Sequence, residues 1–187
     1  MKIKRNLIKK LRNIVSLGHV PNRELENYFY ITQNNEDVCM CINCFAHACF
    51  NLSNEDIEML GITEKHGQFF GSFNGFFTTP DEGLERQIVD FVEKTGLQMR
   101  PVLKHDEALN RNQWKVAMYI DHMNWFGKDF HFFLQEKDGS WSHKQGYSSN
   151  VQKKETIGEK HQQYDYYKTF IITNPFAREF WSLAFFN

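Results

Sequence analysis

Residues 129–146 read DFHFFLQEKDGSWSHKQG, and this stretch decides the fold. Two segments in it, 129–136 and 140–145, are typical of β-strands. The tripeptide Lys137-Asp138-Gly139 lies between them and fits a three-residue hairpin loop, because glycine readily adopts the left-handed conformation that such a loop requires. The stretch therefore predicts two adjacent antiparallel strands.

The register of this hairpin places two histidines. If Glu136 pairs with Ser140, Phe133 lies opposite His143. Side chains alternate between the two faces of a sheet, so His131 and His143 then lie on the same face as diagonal neighbours. The hairpin thus predicts an imidazole pair on one face of the sheet.

Helices precede strands along the rest of the chain, which is typical of an α+β domain. A length of 187 residues fits one such domain. The pattern predicts helices over 2–17, 44–52, a short segment from Ser53 and 80–95, and further strands over 27–32, 114–121 and 168–173.

The charge balance excludes some classes of protein. Lys and Arg number 22 against 23 Asp and Glu, for a net charge of −1. A protein built mainly to bind nucleic acid carries a strong positive excess. The sequence also lacks the run of about 18 apolar residues that a transmembrane helix needs. We therefore expect neither a nucleic-acid partner nor a transmembrane segment.

The first twenty residues have their own pattern. They contain six basic residues and no acidic one, and their apolar residues recur at helical spacing rather than in the unbroken stretch of a signal peptide. We divide the chain into a basic amphipathic helix over 1–20 and a single domain over 21–187. The helix either packs on the domain, which we favour, or contacts an anionic membrane surface or a partner. The expected location is the cytoplasm, or a host cell reached without a classical signal peptide.

All four cysteines lie within the eleven residues 39–49, which fits reduced thiols better than a disulfide framework. Cys44 opens the helix predicted over 44–52, where the helix dipole favours a thiolate and lowers the pKa. A nucleophilic thiol needs a base, usually a histidine held by a third polar group. His131 interrupts an apolar strand and fits the base, and His143 fits the group that orients it.

The cysteine cluster also allows a zinc site. Its five candidate ligands are Cys39, Cys41, Cys44, His47 and Cys49. Structural zinc sites usually take two separated pairs of ligands, whereas these five residues share one short segment. We therefore predict no metal and no cofactor.

Three segments resemble a group of bacterial papain-like proteins. NCFAHA (43–48), HGQFFG (66–71) and residues 129–146 resemble, in the same order, N-C-Y-x-Y-A, P-G-x-x-S-G and D-Y-H-F-Y-R-x-D-x-x-G-x-W-S-H-K-P-G. The resemblance implies a papain-like fold, with N-terminal helices packed on an antiparallel sheet and the nucleophile on a central helix. By position it implies Cys44 as nucleophile, His131 as base and His143 as the third residue.

A second resemblance leaves the nucleophile open. Bacterial glutamine deamidases with a papain-like core contain C-S-G-C-A-L-H-A-C and attack with the first cysteine, which implies Cys41 instead. We prefer Cys44, because Asn43-Cys44-aromatic matches the group that also supplies the later segments. Candidate oxyanion donors are the backbone N–H of Cys44 and the side chains of Gln33, Asn34, Asn35 and Asn43.

Together these patterns predict a thiol hydrolase that acts on a protein or peptide substrate. The bond cleaved is a peptide bond or the side-chain amide of glutamine, through a thioester intermediate. The alternative is a non-enzymatic binding or inhibitory module, in which the cysteines are structural or bind zinc.

Overall fold

The computed structural model describes residues 2–20, 43–52, 56, 61, 80–104, 107–122, 129–145 and 151–177. The described helices are α1 (Lys2–Ser16), α2 (Cys44–Cys49) and α3 (Asp81–Lys94). The described strands are β1 (Gln98–Pro101), β2 (Gln113–Asp121), β3 (Asp129–Gln135), β4 (Trp141–Lys144), β5 (Val151–Lys154), β6 (Lys160–His161) and β7 (Tyr164–Thr173).

These strands form one antiparallel sheet in the order β1-β7-β2-β3-β4-β5, and β6 pairs with β7. Strands β2 and β3 lie inside the sheet and are buried along most of their length. Helices packed on an antiparallel sheet make an α+β domain, as the order of helices and strands predicts.

The β3–β4 hairpin has the predicted register. The Glu136 N–H donates to the Ser140 carbonyl oxygen at 2.8 Å, and Phe133 lies opposite His143. Gly139 adopts φ +87°, the left-handed conformation that the three-residue loop requires. The prediction that His131 and His143 share a face of the sheet is confirmed.

The sheet has two buried faces of different chemistry. On the first, which we call the helix face, the apolar side chains of β2, β3 and β7 pack against the three helices: Trp114, Val116, Met118, Ile120, Phe130, Phe132, Leu134, Phe170 and Ile172. The second, the histidine face, carries a smaller apolar cluster of Ala117, Tyr119, Phe133, Trp141 and Tyr164. Three imidazoles lie among these rings, as described below.

Phe45 fixes α2 on the helix face. Its ring is fully buried and meets four other phenylalanine rings at centroid distances of 5.5 to 6.3 Å, mostly edge to face: Phe50, Phe91, Phe130 and Phe132. Such pairs add stabilisation beyond the burial of apolar area. The position of the neighbouring Cys44 therefore depends on this cluster.

Helix α1 shares the same core. Its apolar side chains Leu7, Leu11, Ile14 and Val15 are buried on the helix face, which confirms that the helix packs on the domain. The Asn174 side chain donates to the carbonyl oxygens of Val15 and His19, at 3.0 and 2.6 Å, and ties the end of α1 to the end of β7. Contact of this helix with a membrane surface or partner stays a prediction. None of the helices in the described ranges is both long and apolar enough to cross a membrane.

Some expected boundaries are wrong. α2 ends at Cys49 rather than 52, and α3 begins at Asp81 rather than 80. The polar run over 153–160 contributes to β5 and β6, and the sequence pattern predicts neither of these strands nor β1. In β5 and β6 only one residue each is buried, so alternation gives little signal. The strand expected over 27–32 and most of the short helix after Ser53 lie outside the described residues.

Replacing Phe45 by alanine should lower the free energy of unfolding by about 3–5 kcal/mol, because it leaves a cavity among four aromatic rings. Urea denaturation followed by circular dichroism measures the change. Leu103→Ala is the matched control, since Leu103 is 82% exposed and its truncation should change stability by no more than about 0.5 kcal/mol. Equal effects of the two substitutions would contradict the role given to Phe45.

Candidate functional site

Asn43 caps the helix that carries Cys44. Its side-chain oxygen accepts a hydrogen bond from the backbone N–H of Ala46 at 2.9 Å, in the geometry of a helix N-cap. Asparagine is among the residues preferred at this position, because it satisfies an N–H that the helix leaves unpaired. Asn43, predicted as an oxyanion donor, thus has a structural role through its oxygen.

Cys44 lies against the start of β3. Its thiol donates to the Phe130 carbonyl oxygen at 3.8 Å, and a backbone hydrogen bond from Phe132 also favours the thiolate. These two residues flank His131 in the strand. Cys44 is only 6% exposed, so the thiol lies in the interior beside the backbone of the predicted base.

The expected lowering of the Cys44 pKa is wrong. The pKa of the thiol is raised to about 12, mainly by burial and in smaller part by the nearby carboxylate of Asp129. The backbone hydrogen bond from Phe132 opposes this shift but is outweighed. Position at a helix N-terminus does not overcome removal of a thiolate from water. The resting thiol is therefore protonated at neutral pH.

The imidazole of His131 lies on the histidine face. Phe130 and Phe132, its neighbours in β3, contact Phe45 on the helix face, so His131 projects to the other side. Its Nε2 is 2.9 Å from Nδ1 of His143, and both rings are buried. One of these nitrogens donates and the other accepts, so the two imidazoles predicted as base and orienting group are hydrogen-bonded to each other.

His161 completes a cluster of three imidazoles. Its ring stacks on His131, with centroids 5.1 Å apart, and lies 4.7 Å from the ring of His143. Lys154 Nζ donates to His161 Nδ1 at 2.7 Å. Tyr164 packs on His131 from β7 and donates its hydroxyl to Asp129 at 2.8 Å. We call His131, His143 and His161 the histidine cluster.

All three imidazoles are held neutral. Burial lowers the pKa of His131 to about 2 and that of His143 to about 4, and in each case a neighbouring histidine adds to the shift. Burial also lowers the pKa of His161, with a further contribution from the Lys154 cation. A neutral imidazole keeps one lone pair, which can accept a proton or bind a metal ion.

The structure brings His131 and His143 together but forms no thiol–imidazole hydrogen bond among the described residues. The Cys44 thiol bonds the Phe130 carbonyl oxygen instead. The thiol lies in the core of the helix face, whereas the His131 imidazole lies on the histidine face.

His47 and Cys49 have structural environments. His47 Nε2 lies 2.9 Å from the Ser142 hydroxyl on β4. Cys49 is fully buried in the core of the helix face. The described residues do not include Cys39, Cys41, Gln33, Asn34 or Asn35, so the cysteine zinc site, the alternative nucleophile and three of the oxyanion candidates stay predictions.

Four further residues of this region are not predicted by the sequence pattern: His161, Lys154, Tyr164 and Asp129. Asp129 could have been predicted, because it stands two residues before His131 and therefore lies on the same face of the strand. His161 gave no such signal, since it lies in a two-residue strand within a polar run.

Cys44 should react slowly with iodoacetamide near pH 7, and its rate should rise about tenfold per pH unit up to about pH 9. The reason is that a thiol with pKa about 12 gains thiolate in proportion to hydroxide over that range. Timed alkylation of the folded chain with peptide mapping by mass spectrometry gives the rate, and Cys44→Ala identifies the peptide. An alkylation rate that does not change with pH above about 7 would contradict the raised pKa, because it would mean that Cys44 is already a thiolate at that pH.

Comparison of the chain with protein-family models, with curated proteins and with solved structures finds no match. The site is therefore interpreted from its own geometry.

Proposed function

We propose that the chain is a papain-like thiol hydrolase that cleaves a peptide bond or the side-chain amide of glutamine in a protein substrate. Cys44 is the nucleophile, His131 is the base, and His143 is a positioning residue that orients His131. The observation that carries the proposal is the 2.9 Å contact between His131 Nε2 and His143 Nδ1, in the strand against which the Cys44 thiol is held.

The contact between His131 and His143 determines which ring nitrogen of His131 can act as the base. Because Nε2 of His131 is engaged by His143, Nδ1 is the nitrogen left to receive a proton. A base oriented through its other ring nitrogen is the general pattern for activating a serine or cysteine nucleophile. His143 is fully buried between β3 and β5, which limits its own movement and hence that of His131.

The resting site requires an activating movement. The thiol is protonated and bonded to the Phe130 carbonyl oxygen, so it must leave that oxygen and approach His131. Cys44 lies in the core of the helix face and His131 projects to the histidine face, so the two groups must meet past the backbone at the start of β3. Substrate binding supplies the favourable interactions that offset the cost of forming charge in a buried site.

The reaction then proceeds in two halves. The thiol proton passes to His131 as Cys44 Sγ bonds to the carbonyl carbon. His131 returns the proton to the leaving amine or ammonia as the C–N bond breaks, which leaves a thioester. Water attacks the thioester and gives a proton to His131, the C–S bond breaks, and the proton returns to the sulfur. The backbone N–H of Cys44 is the proposed oxyanion donor at the helix N-terminus.

One observation favours a second candidate function, a non-enzymatic binding or inhibitory module. Burial raises the pKa values of both described cysteines, Cys44 and Cys49, as it does for structural thiols. In that case Cys44 forms no acyl adduct. Cys44 and Cys49 then both react slowly with an alkylating reagent.

Cys44→Ala should abolish hydrolysis, and His131→Ala should lower its rate by about 10²–10⁴-fold, the usual contribution of a general base. A set of peptide and glutamine-containing protein substrates is assayed for new amino termini and for released ammonia, which also separates protease from deamidase. An acyl probe with mass spectrometry reports the thioester. Cys49→Ala is the matched control, because its thiol is buried at the other end of the same helix, whereas the Cys44 thiol bonds to the backbone of β3.

Two outcomes of this experiment contradict the assignment. Loss of the adduct in Cys41→Ala but not in Cys44→Ala would move the nucleophile to Cys41. An absence of any adduct, with all thiols reacting slowly, would favour the binding module.

His143→Asn should retain about tenfold more activity than His143→Leu, because the amide still offers a polar atom to His131 whereas the leucine side chain does not. The comparison is made on kcat and KM separately, with thermal unfolding as a check on folding. Loss of the positioning residue should lower kcat and leave KM nearly unchanged. Equal activity of the two variants would remove His143 from the mechanism.

A further inference from the structure

The histidine cluster has a feature that thiol chemistry does not use. Each of the three residues offers one imidazole nitrogen, and these nitrogens all lie within 4.8 Å of one another. The three side chains come from β3, β4 and β6, so they are far apart in the sequence and converge through the sheet. Only two of them, His131 and His143, have roles in the proposed hydrolysis.

Two of the cluster's nitrogens have unmet hydrogen-bonding capacity. Nε2 of His143 and Nε2 of His161 are buried and have no hydrogen-bond partner within the described part of the chain. Their residues are 0% and 7% exposed, so water does not freely replace a partner. A buried polar atom without a partner costs free energy, and such an atom calls for an explanation by an ion, a water or a function.

We propose that the histidine cluster is a binding site for a first-row divalent cation, Zn²⁺ being the expected one. Imidazole nitrogen suits Zn²⁺, and three histidines leave the fourth position of a tetrahedral ion open to water or another ligand. Nitrogens bound to one tetrahedral zinc at about 2.0–2.1 Å lie about 3.3 Å apart, so the cluster needs side-chain adjustments of about 1 Å or slightly more. This proposal departs from the expectation of no metal, which considered only the cysteine segment.

The state of the imidazoles suits a metal ligand. Ligation requires a neutral ring, and burial already lowers the pKa values of His131, His143 and His161. No proton therefore has to be removed from an imidazolium at neutral pH. What changes is the position of the proton on each ring, because a ligating nitrogen carries none. His131 and His143 can both ligate only if they give up the hydrogen bond between His131 Nε2 and His143 Nδ1, since that bond uses the lone pair of one of the two rings.

Lys154 opposes the metal and offers a test of the site. Its ammonium donates to His161 Nδ1 at 2.7 Å, which leaves the proton of the neutral ring on Nε2. Binding through Nε2 requires that proton to move to Nδ1, so Lys154 must withdraw its donated hydrogen bond. The cation also repels a divalent ion at this distance. Removing the Lys154 charge should therefore strengthen metal binding.

Metal binding does not depend on the proposed hydrolysis, but its consequence for activity does. His131 cannot give one lone pair both to a metal and to the Cys44 proton. If the hydrolase proposal holds, bound Zn²⁺ and the active base exclude each other, and the ion inhibits the reaction reversibly. Metal binding and acyl-adduct formation are measured separately, so failure of one proposal is distinguishable from failure of the other.

The experiment begins with the full chain freed of metal by a chelator. Co²⁺ is titrated and followed by its visible absorption, and Zn²⁺ affinity is measured by competition with a chromophoric chelator. His161→Gln removes one ligand outside the thiol mechanism. His122→Gln is the matched control, because His122 is a partly exposed histidine that pairs with Asp81 rather than with the cluster. Thermal unfolding confirms that each variant is folded.

The expected result is one ion per chain, with affinity at least about tenfold weaker in His161→Gln and unchanged in His122→Gln. The Co²⁺ complex should lack a thiolate-to-cobalt charge-transfer band. Cys44→Ala should bind as the unmodified chain does. An absence of binding, unchanged affinity in His161→Gln, or a thiolate band that assigns the ion to the cysteine segment would each overturn the proposal.

Lys154→Gln keeps the proposal testable if His161→Gln does not fold. It should tighten Zn²⁺ binding several-fold, because it replaces the ammonium that donates to His161 Nδ1 by a shorter, uncharged side chain and so removes a nearby positive charge. Unchanged or weaker Zn²⁺ binding in folded Lys154→Gln would overturn the proposal that the histidine cluster binds the ion.

Discussion

Alternation of side chains along β3 is the constraint on which the rest of the structure depends. Phe130 and Phe132 point to the helix face and hold Phe45, while His131 between them points to the histidine face. One strand therefore docks the helix that carries Cys44 and presents the imidazole proposed as its base. The backbone of β3 separates the thiol, on the helix face, from the imidazole, on the histidine face.

Burial gives both sides of this strand the same electrostatic character. It favours the neutral forms of the Cys44 thiol and of the His131 ring, although the charges they would carry are opposite. The resting site is thus an uncharged one. In the hydrolase proposal, a bound substrate supplies the interactions that an active thiolate needs. In the metal proposal, a cation supplies those that the ligating imidazoles need.

Local patterns in the sequence predicted the hairpin and its histidine pair, because loop length and alternation fix a register without reference to the rest of the chain. The pKa of Cys44 could not be predicted in this way, since it depends on how completely β3 and the aromatic cluster exclude water. His161 was equally inaccessible. It reaches the cluster through a two-residue strand, which is followed by Gln162 at φ +52°. Glycine or asparagine at that position would have indicated the turn, whereas glutamine does not.

The three-residue loop at Lys137-Asp138-Gly139 has a consequence for how this protein can diverge. If the loop keeps three residues and β3 and β4 stay paired, inserting or deleting a single residue shifts the register by one and turns Ser142 or Lys144 toward the imidazoles and His143 toward the helices. At constant loop length, only changes of two residues keep the imidazoles on one face. A distant homologue that keeps the twelve-residue interval between His131 and His143 preserves the phase of the hairpin, whatever else its sequence has lost.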